Sequence, residues 1–330
     1  MKSVRWGILA TGQIARKFAE GLQALPDAEL VAVGSRKLET AKAFAEEYNI
    51  PRAYGSYAEL TGDPDIDVVY IATPHPAHAQ NTLQCIDAGK AVLCEKPFAL
   101  NATQARHMIQ AAAEKNIFLM EAMWTRYIPL MLEIENILEQ GTIGPPKMIH
   151  ADFGYSGDWE PDGRVLSPHL AGGALLDVGI YAISLASMVY QRDPEKVAAL
   201  AHMASTGVDE ISAFILSYEP AALAILSCAV GASTPGEATI SGSKGYIKIH
   251  SPFWCPSKAT VSIDEGKTET IEVPFEGNGY NYEAAEVHRC LREGLTQSPK
   301  MPLEETLRIM GTMDNIRKQW NLKYPMEHTL

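Results

Sequence analysis

The chain has 330 residues, a formal net charge of −12 at pH 7 and 46% hydrophobic residues. This length exceeds the usual size of a single hydrophobic core, so two domains are expected. The acidic balance argues against a nucleic-acid partner, because binding to phosphates needs a basic face that releases counterions. The 5 cysteines are scattered and show no C-x-x-C spacing, which favours reduced thiols over disulfides or a metal centre.

Membrane insertion and secretion are not expected from the sequence. No apolar segment reaches transmembrane length, and Met1 and Lys2 lead directly into the first predicted strand without a cleavable apolar region. The sequence therefore predicts a cytoplasmic protein.

The N-terminal residues follow the pattern of a strand, a turn and a helix. Val4 to Ala10 is an apolar run, and a helical spacing of apolar residues begins at Ile14. The dinucleotide fingerprint G-x-G-x-x-G/A requires small residues in such a turn, and here its places hold Ala10, Gly12 and Ala15. Because the first glycine is absent, the motif alone also fits an ordinary strand-to-helix turn. The residues expected to bind the nucleotide here are Ala10, Thr11, Gly12, Gln13 and Ile14.

The end of the second predicted strand, Glu29 to Gly34, distinguishes between the two nicotinamide cofactors. A site for NAD usually places an acidic residue about 20 residues after the glycines, whereas NADP needs positive charge for its 2′-phosphate. This chain has Ser35, Arg36 and Lys37 there, and no acid before Glu39. These residues would attract a phosphate, so we predict NADP as the cofactor. The alternative is a solvated loop that carries adjacent cations.

Two further strand ends are expected beside this nucleotide site. Asp67 to Thr73 runs into a loop with His75 and His78, and Ala91 to Lys96 runs into a proline. Ligands of open parallel sheets bind outside the carboxyl ends of the strands. The two histidines do not predict a metal site, because no cysteine or acidic partner lies at ligand spacing. The expected cofactor contacts from these loops are Thr73, Pro74, His75, His78, Glu95 and Lys96.

A further strand, Ile117 to Ala122, ends the first predicted domain, which places the division between residues 1–122 and 123–330. Beyond it come a helix, a strand, a loop rich in Gly, Pro and Asp at residues 156–173, and a helix from about Ala174 to Tyr190. Strands then follow one another between residues 196 and 273, and two helices close the chain. The pattern predicts an α/β protein in which a doubly wound parallel sheet precedes a strand-rich α+β domain.

Asp177 and Tyr181 are the candidates for chemistry in the second domain. They are four residues apart and therefore lie on one helix face, near a helix start that Gly172 and Gly173 introduce. From the residues alone, Asp177 could equally complement the helix N-terminus while Tyr181 packs in the core.

Several motifs occur together and in a fixed order. They are the fingerprint variant, Thr73-Pro74 with His78, Glu95-Lys96-Pro97, Glu121-Ala122-Met123-Trp124-Thr125-Arg126, and Asp177-x-Gly179-x-Tyr181. In this order they resemble the glucose-fructose oxidoreductase/inositol dehydrogenase/MocA superfamily over nearly the whole chain. The versions in this sequence are most similar to the branch of dimeric dihydrodiol dehydrogenases and NADP-dependent D-xylose dehydrogenases. The resemblance implies a Rossmann domain and a second domain whose large, open, mostly antiparallel sheet makes a homodimer.

The resemblance also implies that Lys96, Asp177 and Tyr181 form the catalytic group. Oxidation of a carbinol carbon requires its hydroxyl to lose a proton, so a base must lie within hydrogen-bond reach. Tyr181 is the candidate base, and a nearby ammonium such as that of Lys96 favours its phenolate. Asp177 would orient the substrate hydroxyls or the lysine. Many family members have histidine in place of Tyr181, so inositol specificity does not carry over.

Aromatic residues are expected to wall the substrate pocket. By resemblance these are Trp124, Phe153, Trp254 and Tyr280, and Trp124 and Arg126 are also expected near the nicotinamide. Such walls suit the apolar face of a pyranose and a cyclic diol equally well. The sequence therefore predicts an NADP-dependent oxidoreductase that acts on the CH–OH group of an aldose (D-xylose or D-glucose type) or of a trans-dihydrodiol. The alternatives are an NAD-dependent glycosidase of the same fold and a non-catalytic NADP-binding sensor.

Overall fold

The structure, a computed structural model, describes residues 3–263 and 266–327. Met1 and Lys2, which precede the first predicted strand, lie outside the described residues. The chain forms two compact units. Of the described residues, the first unit comprises 3–124 and 276–306, and the second comprises 125–275, apart from 264 and 265, and 307–327.

The first unit contains a parallel sheet with helices along it. Its elements up to residue 122 are β1 (Val4–Leu9), α1 (Gln13–Leu22), β2 (Ala28–Gly34), α2 (Leu38–Tyr48), β3 (Arg52–Tyr54), α3 (Tyr57–Thr61), β4 (Val68–Ile71), α4 (His78–Asp87), β5 (Ala91–Glu95), α5 (Ala102–Lys115) and β6 (Leu119–Ala122).

The second unit contains the larger sheet, and two helices that follow it close the chain. The elements after residue 122 are α6 (Pro129–Glu139), β7 (Pro146–Gly154), α7 (Ile180–Tyr190), β8 (Lys196–Met203), β9 (Asp209–Tyr218), β10 (Ala222–Ala229), β11 (Ala238–Gly242), β12 (Gly245–Ile249), β13 (Lys258–Ile263), β14 (Lys267–Glu272), α8 (Tyr280–Arg292) and α9 (Leu303–Gln319).

The six strands of the first sheet are ordered β3-β2-β1-β4-β5-β6, and every neighbouring pair is parallel. Strands β2 and β3 are added on one side of β1, and β4 to β6 are added on the other. The switch point of the strand order therefore lies between β1 and β4, where doubly wound sheets bind their ligands. Strands buried on both faces read as apolar runs, and β4 and β5 are buried at every residue. This is why the sequence pattern located these strands.

The segment Glu276–Thr306 belongs to the first compact unit. The predicted division at residue 122 assigns the same segment to the second domain. The Trp6 indole Nε1 donates to His288 Nε2 at 2.9 Å, and Asn278 Nδ2 donates to the Lys17 carbonyl at 2.7 Å. These contacts bring α8 against α1. The division at residue 122 stays a prediction for the domain boundary, but the first compact unit is not one continuous stretch of chain.

Glu121, at the end of β6, gives the first unit a pH-dependent stability. Its carboxyl group is 1% exposed, Oε2 accepts a hydrogen bond from Thr306 Oγ1 at 2.8 Å, and Oε1 is buried without a hydrogen-bond partner. Burial raises the pKa of Glu121 from 4.5 to about 7. The folded state therefore binds more protons than the unfolded state between these values, and stability falls as the pH rises through this window.

We expect Glu121→Gln to remove this dependence. The free energy of unfolding of the variant, relative to the unmodified protein, should rise by about 3 kcal/mol between pH 4 and pH 8. Urea denaturation at both pH values measures it, with the exposed Glu46→Gln as the control that should show no such change. An equal difference at the two pH values would contradict the assignment.

The eight strands of the second sheet are ordered β14-β13-β12-β11-β7-β10-β9-β8. Strands β7 and β10 are parallel, and the other neighbouring pairs of the described strands are antiparallel. Helix α7 packs on β7 and β10. The predicted fold class, a parallel doubly wound sheet plus a large, mostly antiparallel sheet, is thus confirmed.

The second sheet buries one face and leaves apolar residues on the other. Exposed residues of β9 and β10 alternate with buried ones along much of each strand, and residues of β8 alternate between exposed and half-buried. Leu200 is 81% exposed, and Ile225 pairs with Ile215 on one side and with His150 on the other. The large apolar residues on this face, called the open face below, are Met148, Leu200, Ile211, Ile215, Leu223, Ile225 and Tyr246.

The expectation that no apolar segment reaches transmembrane length is wrong for one described segment, Pro168–Tyr190, which is long and apolar enough by length and composition, with a mean hydropathy of 1.6. However, 94% of its apolar window is buried inside the protein. The segment is therefore a core helix of the second unit, because nearly all residues of α7 and of the turn before it are buried.

Candidate active site

The turn after β1 has the backbone that the dinucleotide fingerprint requires. Ala10 adopts φ of 87°, a conformation that glycine normally supplies and that costs a residue with Cβ about 1–2 kcal/mol. Gly12 caps α1 without a side-chain hydrogen bond, and a Cβ built on it would meet nothing within 4 Å. The space beside Gly12 at the start of α1 is thus open, and the N-terminus of a helix suits a pyrophosphate.

The end of β2 presents positive charge. Arg36 and Lys37 are exposed, and the Ser35 N–H is held by the Tyr54 carbonyl at 3.1 Å. Burial raises the pKa of the Tyr57 phenol, and the nearby Arg36 charge opposes this shift. No ion pair ties Arg36 or Lys37 to a carboxylate of the described residues, so both cations are available to a phosphate.

His78 ties together the loops that follow β4 and β5. Its Nδ1 lies 2.8 Å from the Pro97 carbonyl oxygen, its Nε2 lies 2.8 Å from the Thr73 carbonyl oxygen, and the residue is fully buried. Burial lowers the pKa of His78, and hydrogen bonding to the two carbonyls opposes this shift. Both ring nitrogens are occupied by backbone. A direct contact of His78 with the cofactor stays a prediction, while its role in shaping the two loops is visible.

Glu95 fixes the backbone from which Lys96 projects. The Tyr70 hydroxyl donates to Glu95 Oε1, and the Lys96 backbone N–H donates to Glu95 Oε2 at 3.1 Å. Glu283 of α8 is fully buried and neither of its side-chain oxygens has a hydrogen-bond partner. Burial first, and then the Glu95 charge, raise the pKa of Glu283 well above its usual range. Glu283 is therefore protonated near neutral pH.

An aromatic pair also lies in the first unit. The Trp124 and Tyr280 rings are stacked, with centroids 4.5 Å apart and an angle of 10° between their planes. Trp124 follows β6 and Tyr280 opens α8, so the return of residues 276–306 creates this pair. Sequence reasoning named both residues but did not predict that they contact each other.

Asp177 of the second unit is held by two residues that sequence reasoning missed. Arg164 forms a bidentate contact with its carboxylate, in which Nη1 donates to Oδ1 at 2.9 Å and Nη2 donates to Oδ2 at 3.3 Å. The Tyr155 hydroxyl donates to Oδ2 at 2.6 Å. Burial, followed by the Asp177 charge, raises the pKa of Tyr155, which therefore remains a donor. Tyr155 follows β7 and Arg164 lies in the loop after it, where no periodic pattern draws attention to single residues.

Tyr181 lies in an aromatic cluster of the second unit. It is 6% exposed, and its ring centroid is 5.5 Å from that of Phe153 on β7. The Phe153 ring stacks on Trp254 with centroids 3.4 Å apart and an angle of 6°. The Thr125 hydroxyl donates to the Trp254 carbonyl at 2.6 Å and fixes this loop. Tyr181 thus lies beside an apolar wall that the stacked Phe153 and Trp254 rings form.

The helix start before Tyr181 differs from the expected regular helix. Residues Leu175–Gly179 form a π-helical turn, and the α-helix begins only at Ile180. Such turns are rare and occur frequently at functional sites. Asp177 lies in this turn and Tyr181 in the first turn of the α-helix that follows.

Arg126 lies in a buried ion pair. It is 4% exposed and its Nη2 donates to Glu135 Oε1 at 3.0 Å, within the second unit. This pairing directs its charge toward α6, and a contact of Arg126 with the nicotinamide stays a prediction. Across residues 3–263 and 266–327, no group of three or more His, Cys, Asp or Glu side chains is arranged to hold a metal ion.

The chain matches two family models that together span most of its length. Residues 4–123 match the oxidoreductase family with an NAD-binding Rossmann fold, and residues 131–248 match the GFO/IDH/MocA C-terminal domain. The chain belongs to the Gfo/Idh/MocA family. The resemblance drawn from the motifs is confirmed, and the protein is an NAD(P)-dependent oxidoreductase.

Similar proteins cover the chain end to end. A trans-1,2-dihydrobenzene-1,2-diol dehydrogenase of Xenopus laevis is 43% identical over 334 residues, 98% of this chain and 100% of the relative. The enzyme of that name from Homo sapiens is 38% identical over 333 residues, 98% of this chain and 99% of the relative.

Solved structures of other members superpose closely on this chain. A 3-ketoreductase from Actinomadura kijaniata, solved with NADP and TDP-benzene, is 26% identical, with a TM-score of 0.86 over 96% of this chain and 98% of its own. An aldose-aldose oxidoreductase from Caulobacter crescentus is 24% identical, with a TM-score of 0.88 over 97% of this chain and 98% of its own, and shares the fold.

Proposed function

We propose that the protein is an NADP-dependent dehydrogenase that transfers hydride between nicotinamide and the CH–OH group of a cyclic diol or an aldose. The observation that carries this proposal is the placement of Tyr181, a proton-transfer group, against the stacked Phe153 and Trp254 rings. A flat apolar wall beside a hydroxyl-binding group suits a ring that carries vicinal hydroxyls. The dihydrodiol dehydrogenases, similar over their whole length, support the diol as the first substrate class to test.

The choice of NADP over NAD is supported by charge. Arg36 and Lys37 are exposed at the end of β2, where NAD-binding domains usually place an acid. Guanidinium and ammonium groups form strong, charge-assisted hydrogen bonds with a phosphate. The similar 3-ketoreductase was solved with NADP, which agrees with this proposal.

The bound nicotinamide would accept or give the hydride, and side chains of this protein would manage the proton. Tyr181 is the proposed acid or base at the substrate oxygen, and Lys96 is the proposed source of the positive charge that favours its phenolate. Asp177 would accept a hydrogen bond from the substrate. Arg164 and Tyr155 hold its carboxylate in one orientation, which is the preorganisation such a contact requires.

The proposal is tested by following reduced-nicotinamide absorbance with NADP and with NAD. The substrates are a trans-dihydrodiol, D-xylose, D-glucose and an inositol. Turnover with NADP on a diol or aldose is the expected result. A glycosidase would keep tightly bound NAD and show no net reduction, and a sensor would bind NADP without turnover, so either pattern would overturn the proposal.

Arg164 provides a further prediction for this site. We expect Arg164→Leu to lower kcat/KM about tenfold, because the Asp177 carboxylate loses a two-point, charge-assisted contact that is half exposed to solvent. Arg164→Lys should have an intermediate effect, since it keeps the charge and loses the bidentate contact. Steady-state kinetics measures both. Arg192→Leu, which removes hydrogen bonds to the backbone carbonyls of Tyr190 and Glu219, should leave kcat/KM unchanged.

We also propose a homodimer formed through the open face. A contiguous apolar surface of this kind typically marks a protein interface, and a twofold interface would bring the same residues of two copies together. Ile225→Glu should raise the dimer dissociation constant at least about a hundredfold, because each protomer would bury an unpaired charge. Sedimentation velocity measures it. Leu295→Glu, at an apolar residue of similar exposure in the first unit, is the control and should stay dimeric.

A cytoplasmic location is part of the proposal. All five cysteines are unpaired in the structure, and four of them are buried. Unpaired thiols fit a reducing compartment.

A further inference from the structure

The backbone that leads into the Asp177 turn is tightly constrained. Gly173 adopts φ of 113°, and its N–H donates to the Val165 carbonyl at 2.8 Å. A Cβ on Gly172 would lie 2.5 Å from the same carbonyl oxygen. The Tyr324 hydroxyl donates to the Gly172 carbonyl at 2.7 Å. The chain therefore enters the π-helical turn along a single path.

Asp209, the first residue of β9, reaches this turn from the sheet. Its Oδ2 accepts a hydrogen bond from the Leu175 N–H at 2.7 Å, and its Oδ1 would lie 2.3 Å from a Cβ on Gly173. Asp209 is fully buried, and Oδ1 has no hydrogen-bond partner. The carboxyl group thus lies against the backbone just before Asp177, and the absent side chain of Gly173 makes room for it.

This contact is not an ordinary helix cap. Capping acids lie at exposed helix starts close in sequence to the N–H groups they bind, whereas Asp209 is 34 residues from Leu175 and has no exposure. Burial raises its pKa to about 7, so near neutral pH the group has substantial neutral character. Arg317, Tyr324 and Cys228 are the other titratable groups that face it.

We propose that Asp209 is a positioning residue for the reaction: its buried carboxyl group anchors the Leu175 N–H and thereby sets where Asp177 presents its carboxylate. This inference rests on the proposed function, in which Asp177 binds the substrate. Asp177 is then fixed twice, through its side chain by Arg164 and Tyr155, and through its backbone by Asp209. Asp209 thus joins the start of β9 to the turn that carries Asp177.

Variants at Asp209 separate positioning from simple stabilisation. Asp209→Ala removes the acceptor, whereas the amide oxygen of Asp209→Asn accepts the same hydrogen bond without charge. Tyr190→Phe is the matched control, because it removes a hydrogen bond of 2.9 Å between the far end of α7 and the Leu223 carbonyl. For each variant we would measure kcat, KM, the melting temperature and amide hydrogen exchange of residues 172–181.

We expect Asp209→Ala to lower kcat at least about tenfold, since small displacements of a positioning group have large kinetic effects, and to speed exchange in residues 172–181. Asp209→Asn should restore kcat to within about threefold of the unmodified protein, and Tyr190→Phe should change neither quantity. If Asp209→Ala lowers only the melting temperature and leaves kcat and exchange unchanged, Asp209 is not a positioning residue.

The proposed function fails separately, if the unmodified protein shows no turnover. Even in that case, unchanged exchange of residues 172–181 in Asp209→Ala would overturn the positioning role of Asp209.

Discussion

Lys96→Met and Tyr181→Phe are each expected to reduce turnover with NADP by at least about a thousandfold. General acid–base catalysis contributes about 10²–10⁴-fold. In the proposed mechanism the Lys96 charge favours the Tyr181 phenolate, so its loss should remove the base. Phenylalanine keeps the aromatic contact of Tyr181 with Phe153, and methionine keeps most of the length of Lys96. The chemistry is therefore lost with little change in packing.

The measurement is single-turnover and steady-state reduction of NADP, together with NADP affinity by fluorescence titration. Tyr181→Phe should bind NADP as well as the unmodified protein does, because the nucleotide-binding turn belongs to the other compact unit. The controls are Tyr190→Phe on the same helix and Lys115→Met, a lysine in a surface ion pair, and both should keep full activity. Turnover by Tyr181→Phe within tenfold of normal would exclude Tyr181 as the base.

The strands that carry the site were predictable because burial on both faces leaves an unbroken apolar run. The predicted runs end at Thr73 and Lys96, just beyond β4 and β5, so the placement of these two residues at the ligand-binding edge of the sheet follows from a general rule about carboxyl ends. The short β3 and α3 were missed, since Arg52–Tyr54 is too short for any periodicity to appear. Segments of that length are defined by their neighbours in the sheet.

Residues that act through tertiary contacts were beyond the reach of sequence patterns. Arg164 lies in an irregular loop, and nothing in the spacing indicates that its guanidinium binds Asp177. Asp209 has no motif around it that indicates a role, but it begins β9 and binds the turn that holds Asp177. His78 was predicted as a cofactor contact from its place in the chain, whereas its ring nitrogens face the Thr73 and Pro97 carbonyls. Each of these roles depends on distant backbone that only the fold brings near.

The conformation of Ala10 shows how local chemistry and the fold combine. The sequence lacks the first glycine of the fingerprint, which weakened the motif, yet Ala10 adopts a positive φ of 87° at that place. Its N–H donates to the Gly34 carbonyl at 2.8 Å, so pairing with the end of β2 helps to hold the strained turn. The parallel sheet thus imposes the nucleotide-binding backbone even where the residue type does not favour it.

Arg36→Glu is expected to weaken NADP binding about a hundredfold while leaving NAD binding unchanged or tighter. The substitution removes a charge-assisted contact worth about 1.5–3 kcal/mol and places a negative charge beside the 2′-phosphate. The same carboxylate could accept a hydrogen bond from the 2′-hydroxyl of NAD, as acids in this position usually do. Because Arg36 is exposed and forms no ion pair with the described carboxylates, protein stability should not change.

Titration calorimetry with both cofactors measures this preference, and Lys42→Glu is the matched control. Lys42 is exposed on α2, the helix that follows Arg36, so its substitution changes the net charge equally without altering the end of β2. The effect of Arg36→Glu on NADP should shrink as the salt concentration rises, since exposed charges are screened over about 10 Å at 0.1 M. Equal weakening of NADP and NAD, or a similar loss in Lys42→Glu, would show that Arg36 does not read the 2′-phosphate. Such a result would remove the main argument for an NADP-dependent dehydrogenase and against an NAD-dependent glycosidase, because the two proposals differ in which cofactor the protein binds.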